Sequence, residues 1–326
     1  MRCSLLAFAA RRPPPAALRP QPMKFRYYIV DVFTDRPFGG NQLAVFPDAR
    51  GIDGARMQQI AREFNFSETT FVLPPAERKH TRRVRIFTPG AEIPFAGHPT
   101  VGTAHVLATI GDIPLAGETT SVVFEEGVGP VPVTIRADGK QPVFAQLSVV
   151  KLPEVGPPPP AAARLAAMLS LSESDLAGAD MPPEAISCGL PYLLVPLASR
   201  DAVARARLRI DLWEQTLRGY WTDDIFLFAL DPELEGSDVR ARMFAPGYGV
   251  TEDPATGSAA VALGGYLAAR NPRHDGTFRW VIEQGFEMGR PSILRVEVDK
   301  RGGAVTGVRV GGSTVLVCEG QMDVPT

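Results

Sequence analysis

The chain has 326 residues, of which 45% are apolar and 21% are charged, and this composition is typical of a globular protein that folds in water. Its 34 basic and 36 acidic residues give a formal net charge of −2, which excludes a global basic field for nucleic acid or an anionic membrane. No apolar run approaches the about 20 residues that a membrane-spanning helix needs.

Residues 1–22 differ in composition from the rest of the chain. They contain four arginines, five prolines and no acidic residue, and the apolar stretch Leu5–Ala10 is shorter than the about 7–15 residues of a secretory signal core. We interpret this segment as a disordered or mis-assigned extension, with the folded chain beginning at Met23. A transit-type tag is the alternative.

Short runs rich in β-branched and aromatic residues, bounded by Gly, Pro or Asp, predict strands along most of the chain. The first set precedes the proline-rich segment Gly156–Pro160, which resembles a linker: Phe25–Phe33, Leu43–Phe46, Thr70–Leu73, Arg82–Phe87, Ser121–Phe124, Val131–Ile135 and Phe144–Val150. The second set follows it: Tyr192–Pro196, Ile225–Ala229, Leu294–Val298, Gly307–Val310 and Thr314–Val317.

The chain contains an internal repeat. RIFTPG at residues 85–90 matches RMFAPG at residues 242–247, and EIPFAGHPTVG at residues 92–102 then aligns with EDPATGSAAVA at residues 252–262. Upstream, ETTFVL beginning at residue 68 faces DDIFLF beginning at residue 223. Three matches in the same order, at offsets of 155 to 160 residues, indicate two homologous halves.

Each copy of the repeat predicts a strand, a Pro-Gly turn, a loop of small residues and a helix. The helices are Pro99–Thr109 and Ala259–Arg270. Pro99 suits a first helical turn, and Ser258 suits an N-cap because its hydroxyl can accept from a free backbone N–H. Both helices are small and apolar on all sides, which is typical of buried helices. We therefore expect each half to be a strongly curved sheet around a central helix.

Five strings resemble the PhzF-like family of phenazine biosynthesis proteins, which shares its fold with diaminopimelate epimerase. They are DVFTDRPFGGNQLAVF (31–46), NFSETTFVLPP (65–75), FAGHPTVGTA (95–104), EDPATGSAA (252–260) and QGFEMGRPS (284–292). The resemblance implies an α+β fold of two pseudo-symmetric halves, each a barrel-like, mostly antiparallel sheet around a central helix. It also implies an active site between the halves, a homodimer and no cofactor.

The same fold commonly returns its last strand to the first half. The resemblance therefore implies a first domain of residues 23–150 plus a C-terminal strand at about 312–326, and a second domain of residues 151–311. Racemases of this fold carry one cysteine at each helix start, and the matching positions here are Ala96 and Thr256. A racemisation by paired thiols is therefore excluded.

The two predicted helix starts are candidate anion sites. Helix N-termini carry partial positive charge and free N–H groups, so a substrate carboxylate would fit between Gly97-His98 and Gly257-Ser258, with Thr256 beside it. Glycine lets backbone amides approach a ligand closely. The alternative is that Gly97 and Gly257 only serve tight turns.

Glu68 is the candidate proton donor and acceptor, a role that the family resemblance implies. Nearby Phe64, Phe66 and Phe71 would desolvate its carboxyl group and raise its pKa, which would let it act as an acid near neutral pH. One such group suits a hydrogen shift on a single face of the substrate. The alternative is an exposed glutamate on a strand edge.

Three further residues are candidates for the site. His98 would donate to the substrate carboxylate or relay a proton, unless it only caps its helix. The resemblance implies that Asp253 contacts an amino or hydroxyl group of the substrate and assists proton movement, whereas a turn-forming aspartate is the alternative. Asn41 would bind substrate or serve a turn equally well. Ser258 would combine N-capping with carboxylate binding.

The remaining motifs argue against metals and nucleotides. The four histidines form no HExxH motif, and there is no GxGxxG or Walker-type loop, so we expect no metal and no cofactor. Cys3, Cys188 and Cys318 form no CxxC and cannot all pair, which favours a reducing, cytoplasmic environment.

The family resemblance, together with these residues, implies a cofactor-independent isomerase that moves a proton on a small amino or hydroxy carboxylate, similar to trans-2,3-dihydro-3-hydroxyanthranilate isomerase. We expect no nucleic acid or membrane partner. One alternative is a non-catalytic small-molecule-binding protein on the same fold. An epimerase or racemase is the other, and the absence of the cysteine pair disfavours it.

Overall fold

A computed structural model describes residues 23–325, and the expected N-terminal extension lies outside these residues. Within them the chain forms eighteen strands, joined in one continuous sheet, and six α-helices. None of these helices is both long and apolar enough to cross a membrane. The α+β architecture expected from the sequence is confirmed.

The elements before the proline-rich segment are mostly strands. They are β1 (Met23–Val32), β2 (Asn41–Phe46), β3 (Glu68–Leu73), β4 (Arg82–Phe87), β5 (Glu92–Ile93), β6 (Thr119–Glu126), β7 (Gly129–Asp138) and β8 (Gln141–Ser148). Helix α1 (Gly54–Phe64) follows β2, and helix α2 (Gly97–Thr109) follows β5. The predicted strands of this part all overlap observed ones, whereas α1 and β5 were not predicted.

The second part of the chain repeats this plan and adds small helices. Its strands are β9 (Glu154–Val155), β10 (Glu184–Ser187), β11 (Pro191–Pro196), β12 (Ile225–Ala229), β13 (Val239–Ala245), β14 (Val250–Asp253), β15 (Gly276–Gln284), β16 (Ser292–Arg301), β17 (Ala304–Gly312) and β18 (Thr314–Val324). Its helices are α3 (Ala162–Met168), α4 (Arg200–Arg205), α5 (Ile210–Leu217) and α6 (Gly257–Arg270).

Strand pairing confirms the two pseudo-symmetric halves. In the first, β2 runs parallel to β3, β3 antiparallel to β4, and β4 parallel to β6, which continues into the β6–β7–β8 meander. In the second, β11, β12, β13 and β15 pair in the same directions and order, followed by the β15–β16–β17 meander. The sheet directions therefore repeat together with the sequence motifs.

The central helices are buried on all sides, as predicted. Residues 97–108 of α2 and 257–268 of α6 are all buried, and they belong to one hydrophobic core with the surrounding strands. Both helices begin two residues earlier than predicted, at Gly97 and Gly257. The predicted N-cap is wrong: Thr256 occupies that position, and Ser258 lies inside the first turn, where its hydroxyl bonds to Tyr192.

The last strand lies in the first half of the fold. Strand β18 pairs antiparallel with β1 from Val32 opposite Thr314 to Met23 opposite Val324. The neighbouring strand β17 pairs with β8 and so joins the two halves. The pairing of β18 with β1 is observed directly in the sheet, whereas the domain boundary near residue 150 stays a prediction.

Equivalent ion pairs mark the repeat at atomic detail. Arg85 on β4 and Arg242 on β13 each form a two-point contact with a glutamate, Glu92 and Glu252, with N–O distances of 2.7 to 2.9 Å. The first pair is the more exposed, with Glu92 44% and Arg85 23% accessible, whereas Arg242 is only 5% accessible. Arg242 also donates to backbone carbonyls of the α4 segment.

This difference in burial predicts that replacing each arginine by methionine lowers the free energy of unfolding by different amounts. We expect Arg242→Met to lower the free energy of unfolding by about 3–5 kcal/mol, because it leaves a largely buried Glu252 without its partner. Arg85→Met should cost only about 0–1 kcal/mol, since solvent screens the exposed pair. Urea unfolding of the two variants measures both values. Equal losses would show that burial does not set the strength of these pairs.

Candidate active site

A cavity lies between the two halves, where the starts of α2 and α6 approach each other. Most of the candidate residues line it: Glu68, Gly97, His98, Asp253, Thr256, Gly257 and Ser258. Asn41 is not among the lining residues but contacts two of them from behind. The repeat therefore brings both of its helix-start loops to one site.

Gly97 and Gly257 bring the two helix starts into backbone contact. A Cβ added to Gly97 would lie 2.8 Å from the Cα of Gly257 and 3.0 Å from the backbone nitrogen of Ser258. Real Cβ atoms do not tolerate the shorter of these distances without a shift of the backbone. Glycine is therefore needed here for the close approach of two chains, which is more than a tight turn requires.

Glu68 begins β3, which lies between β2 and β4 and is therefore not an edge strand. Its side chain is 16% accessible, and its Oε2 is buried without a hydrogen-bond partner. Burial raises the pKa of Glu68 well above its ordinary range, and the charge of Asp253 adds to the rise. Glu68 therefore tends to hold a proton.

Phe64 and Phe71, two of the three aromatic neighbours expected for Glu68, lie in a separate cluster. Successive side chains of a strand point to opposite faces. Thr70, on the same face as Glu68, bonds to Thr103 of α2, whereas Phe71 stacks on Phe46 in a separate cluster that also contains Phe64. Burial raises the pKa of Glu68, as expected. The side chain is buried in the cavity between the halves, however, and Phe71 does not contribute to that burial.

His98 is the second residue of α2 and is almost fully buried. Its Nδ1 lies 3.4 Å from Oε2 of Glu68 and 3.3 Å from Nδ2 of Asn41. Burial lowers the pKa of His98 to about 3, so the ring is neutral at pH 7. Its Nε2 is buried without a hydrogen-bond partner. A neutral imidazole offers one donor and one acceptor, so it can bond Glu68 with one nitrogen and a ligand with the other.

Asp253 is held by three side-chain donors. Ser67 and Asn41 donate to its Oδ1 at 2.9 and 2.8 Å, and Thr256 donates to its Oδ2 at 2.5 Å. Burial raises the pKa of Asp253, and these hydrogen bonds oppose the rise because they favour the ionised form. Glu68, with an unpartnered oxygen, and Asp253, with three donors, thus sit in contrasting environments within one cavity.

A second set of contacts fixes Asp253 in place. Gln284 donates to the backbone oxygen of Asp253 at 2.8 Å and to the hydroxyl of Thr256 at 3.0 Å, and its own oxygen accepts from the backbone N–H of Thr256. Asn41 also donates to the backbone oxygen of Ala255. Thr256 and Asn41 were predicted to bind substrate, and here their side chains hold the aspartate.

The positions that carry cysteines in racemases of this fold face the cavity. Ala96 and Thr256 immediately precede α2 and α6, and both line it. The cysteines within residues 23–325 lie elsewhere: Cys188 is buried and Cys318 is exposed, and neither lines the cavity. Burial raises the pKa of Cys188 to about 12, so its thiol is not ionised at neutral pH.

Four residues of the site were not predicted from the sequence. Ser67 and Gln284 bond to Asp253, Tyr192 bonds to Ser258 at 2.6 Å, and Asp224 lines the cavity from the second half. Ser67 and Gln284 lie in the strings that carry the family resemblance, which was a usable signal. Tyr192 has no such signal, because it appears as an ordinary apolar residue of a predicted strand.

A protonated carboxyl group supports the start of α2 from behind. The hydroxyl of Thr100 lies 2.8 Å from the backbone oxygen of Ala96 and 2.7 Å from Oε1 of Glu126. One hydroxyl hydrogen cannot serve two acceptors, so Glu126 must be the donor in the second bond. Burial raises the pKa of Glu126 to about 8, which agrees with this assignment.

Glu126 should make stability fall as pH rises. The unfolded chain loses this proton near about pH 4.3, whereas the folded chain keeps it until about pH 8, so the folded state binds more protons in that window. Glu126→Gln keeps an N–H donor for Thr100 and removes the titration. Between pH 5 and pH 8, the free energy of unfolding of this variant should rise by about 2–4 kcal/mol relative to that of the wild-type protein. Parallel pH profiles in urea unfolding would contradict this assignment.

Known proteins resemble the chain over nearly its whole described length. The PhzC-PhzF family, described as phenazine biosynthesis-like protein, matches residues 30–320. An uncharacterized isomerase of Mesorhizobium japonicum is 40% identical over 302 residues, which cover 91% of this chain and 98% of the relative. The trans-2,3-dihydro-3-hydroxyanthranilate isomerase of Pseudomonas aeruginosa is 37% identical over 299 residues, with coverage of 91% and 98%.

Solved structures agree with these relatives. A Bacillus anthracis phenazine biosynthesis protein of the PhzF family aligns with a TM-score of 0.82 and 27% identity, over 92% of this chain and 99% of that one. A probable proline racemase of Agrobacterium radiobacter, at 14% identity and a TM-score of 0.61, shares the fold alone. The fold and the relatives define an isomerase. The chain belongs to the PhzC-PhzF family, as the sequence motifs indicated.

Proposed function

We propose that this isomerase moves a proton between two carbons of a small amino or hydroxy carboxylate, with Glu68 as the general acid and base and with no cofactor. The relatives named trans-2,3-dihydro-3-hydroxyanthranilate isomerase make that compound the first substrate to test. The proposal depends on one observation: the buried carboxyl group of Glu68, with its raised pKa, faces the cavity on which both helix starts converge.

The helix starts supply the positive field for the substrate carboxylate. Among the described residues that line the cavity there is no lysine or arginine. An anion there is therefore bound by the free N–H groups of the first turns at Gly97-His98 and Gly257-Ser258, and by the side chain of His98. Each helix end contributes about 0.3–1 kcal/mol when exposed and up to about 2 kcal/mol when partly buried.

The proton transfer needs one carboxyl group only. In the fraction of molecules in which Glu68 has lost its proton to solvent, the carboxylate takes a proton from a substrate carbon, and the electron pair of the broken C–H bond enters the conjugated system of the substrate. Glu68 then returns the proton to a second carbon on the same face, so a C–H bond forms and the carboxylate is restored. Nδ1 of His98 lies 3.4 Å from Oε2 of Glu68, so the ring lies against the carboxyl group without a hydrogen bond to that oxygen, and the charge of Asp253 raises the pKa of Glu68 further.

The alternatives fit this arrangement less well. A non-catalytic binder has no need of a buried carboxyl oxygen without a partner, because such a group costs stability. An epimerase that works through paired thiols lacks its cysteines, since Ala96 and Thr256 stand at those positions.

The reaction can be tested directly. Incubation of the protein with trans-2,3-dihydro-3-hydroxyanthranilate in D2O should place deuterium on a ring carbon of the product, which NMR and mass spectrometry detect. Alkylation of the thiols should leave the rate unchanged. An unlabelled, unchanged substrate would overturn the proposed reaction. The homodimer and the cytoplasmic location stay predictions, and light scattering of the purified protein tests the first.

A further inference from the structure

The register of the strands identifies equivalent positions in the two halves. Arg85 and Arg242 are equivalent, because each forms the same two-point contact with a glutamate. In the first half Arg85 on β4 lies opposite Phe71 on β3. In the second half Arg242 on β13 lies opposite Leu227 on β12. Phe71 and Leu227 are therefore equivalent residues.

Glu68 has a carboxylate counterpart in the second half. It lies three residues before Phe71, and Asp224 lies three residues before Leu227. The offset between them is thus 156 residues, whereas the sequence alignment, at 155, placed Asp223 opposite Glu68. The structure corrects that alignment by one residue. It places an acidic side chain at the same position of both halves, one on each side of the cavity.

Asp224 lines the cavity, and its backbone is fixed by two hydrogen bonds. It is 5% accessible, and its Oδ1 is buried without a hydrogen-bond partner. Its backbone is fixed by a bond from its N–H to the hydroxyl of Thr222 and by a bond from the N–H of Leu193 to its carbonyl. A buried acceptor without a partner costs stability, so a polar ligand group in the cavity would relieve that cost.

The hydrogen-bonding capacity of the three cavity acids assigns them different tasks. Asp253 already accepts from Ser67, Asn41 and Thr256, which leaves it little capacity for a ligand. Glu68 is reserved for the reacting carbons in the proposed function. Asp224 is the remaining acid, and an amino group on the substrate is a hydrogen-bond donor that suits its free oxygen.

We propose that Asp224 binds the amino group of the substrate and thereby selects amino carboxylates over their hydroxy counterparts. This inference rests on the proposed function and names a binding residue that is distinct from its acid–base residue. It shifts amino-group recognition from Asp253, where the sequence placed it, to the pseudo-symmetric partner of Glu68.

Binding of an ammonium group should expel a proton from Asp224. Burial, together with the charges of Asp223 and Asp253, raises the pKa of Asp224 to about 8, so its side chain holds a proton at pH 7 when no cation lies beside it. A bound cation favours the carboxylate form, and the proton leaves to solvent. Among the described residues, the other titratable groups that line the cavity are Glu68, His98, Tyr192 and Asp253, and a comparison of Asp224 variants in one background keeps their contribution constant.

The test uses the full chain carrying Glu68→Gln, which blocks turnover. Isothermal titration calorimetry compares trans-2,3-dihydro-3-hydroxyanthranilate with trans-2,3-dihydro-2,3-dihydroxybenzoate, in which a hydroxyl replaces the amino group. Adding Asp224→Asn should raise the Kd of the amino compound by about tenfold or more and the Kd of the hydroxy compound by less than about threefold. Asp223→Asn is the matched control, and it should change neither by more than about threefold.

The number of protons released on binding gives a second test, because a purely structural role of Asp224 would not change it. Titrations at pH 7 in two buffers of different ionisation enthalpy should show release of up to about one proton with Asp224 and none with Asn at that position. The assignment would be overturned if Asp224→Asn weakened the binding of both compounds equally or of neither. It would also be overturned if Asp223→Asn produced the selective effect instead. Thermal unfolding checks each variant, and Asp224→Ser serves as a second variant if the first does not fold.

The outcomes separate this inference from the proposed function. If Asp224→Asn selectively weakens binding of the amino compound but the wild-type protein incorporates no deuterium, the proposed reaction fails and the role of Asp224 stands. If deuterium is incorporated but the selectivity survives Asp224→Asn, the reaction stands and the assignment fails. Binding of neither compound by the wild-type protein, together with an absence of deuterium incorporation, would overturn both.

Discussion

Glu68→Gln should lower kcat by about 10²–10⁴-fold, the range that a positioned acid–base group contributes. Glutamine has nearly the same shape as protonated glutamic acid but cannot accept a proton from carbon. The side chain is buried in the cavity and its Oε2 has no hydrogen-bond partner, so the substitution breaks no bond made by that oxygen. The loss should therefore appear in kcat, with the fold and ligand binding retained.

Deuterium incorporation into the substrate measures this loss, and thermal unfolding confirms the fold. Glu126→Gln is the matched control, because it changes a second buried carboxyl group with a raised pKa that does not line the cavity. The control should exchange at the wild-type rate. Exchange that persists in Glu68→Gln would remove Glu68 from the mechanism and leave Asp224 or Asp253 as the acid to examine.

Gly97→Ala should reduce turnover by at least about 100-fold and destabilise the fold by about 1–3 kcal/mol. The added Cβ would lie 2.8 Å from Gly257 Cα, and the nearest atoms all belong to the backbone of the facing helix start. Neither backbone can rotate away as a side chain can, so the two helix starts must separate. The proposed carboxylate site loses its geometry when they do.

Gly54→Ala is the matched control for this substitution. Gly54 is also the first residue of a helix, α1, but the nearest atom to its added Cβ is Nη2 of Arg85, at 3.1 Å, which is the mobile end of a long side chain. We expect it to change the free energy of unfolding by less than about 1 kcal/mol and to leave turnover intact. Full activity in Gly97→Ala would show that close contact of the helices is dispensable.

Much of the site could be predicted because the repeat is conspicuous in the sequence. The motifs at residues 92–102 and 252–262 predicted both buried helices. They also predicted that one site would contain a set of five residues, all of which line the cavity: Gly97, His98, Asp253, Gly257 and Ser258. Small apolar residues on all sides of a helix leave few alternatives to burial. The helix starts were less certain, since glycine at the first position carries no N-terminal signal of its own.

The errors have two different causes. Strand β13 was missing from the apolar runs, although the repeat predicted a strand before its Pro-Gly turn, because it carries buried Arg240 and Arg242, whose ion pairs let them enter the core. Helix α1 was missed although Asp53 caps its start and Asn65 takes the left-handed conformation at its end. Both were usable signals that the strand-rich reading of the chain passed over.

The acid at Asp224 shows how a small error in register hides a functional residue. Adjacent aspartates at positions 223 and 224 allow two alignments of the repeat, and identity of residues alone cannot choose between them. Strand pairing decides, because a shift of one residue sends a side chain to the opposite face of the sheet. The counterpart of a catalytic candidate was therefore visible only once the ladders were known.

The partnership of β18 with β1 has a consequence for biosynthesis. On the ribosome β1 emerges long before β18, with which it pairs, so that Met23 lies opposite Val324. One edge of β1 therefore stays unpaired until β18 has been made, although domains otherwise tend to fold in order of emergence. During that interval the unpaired strand edge is a site for wrong pairing, and removal of β18 would leave the same edge of the first half exposed.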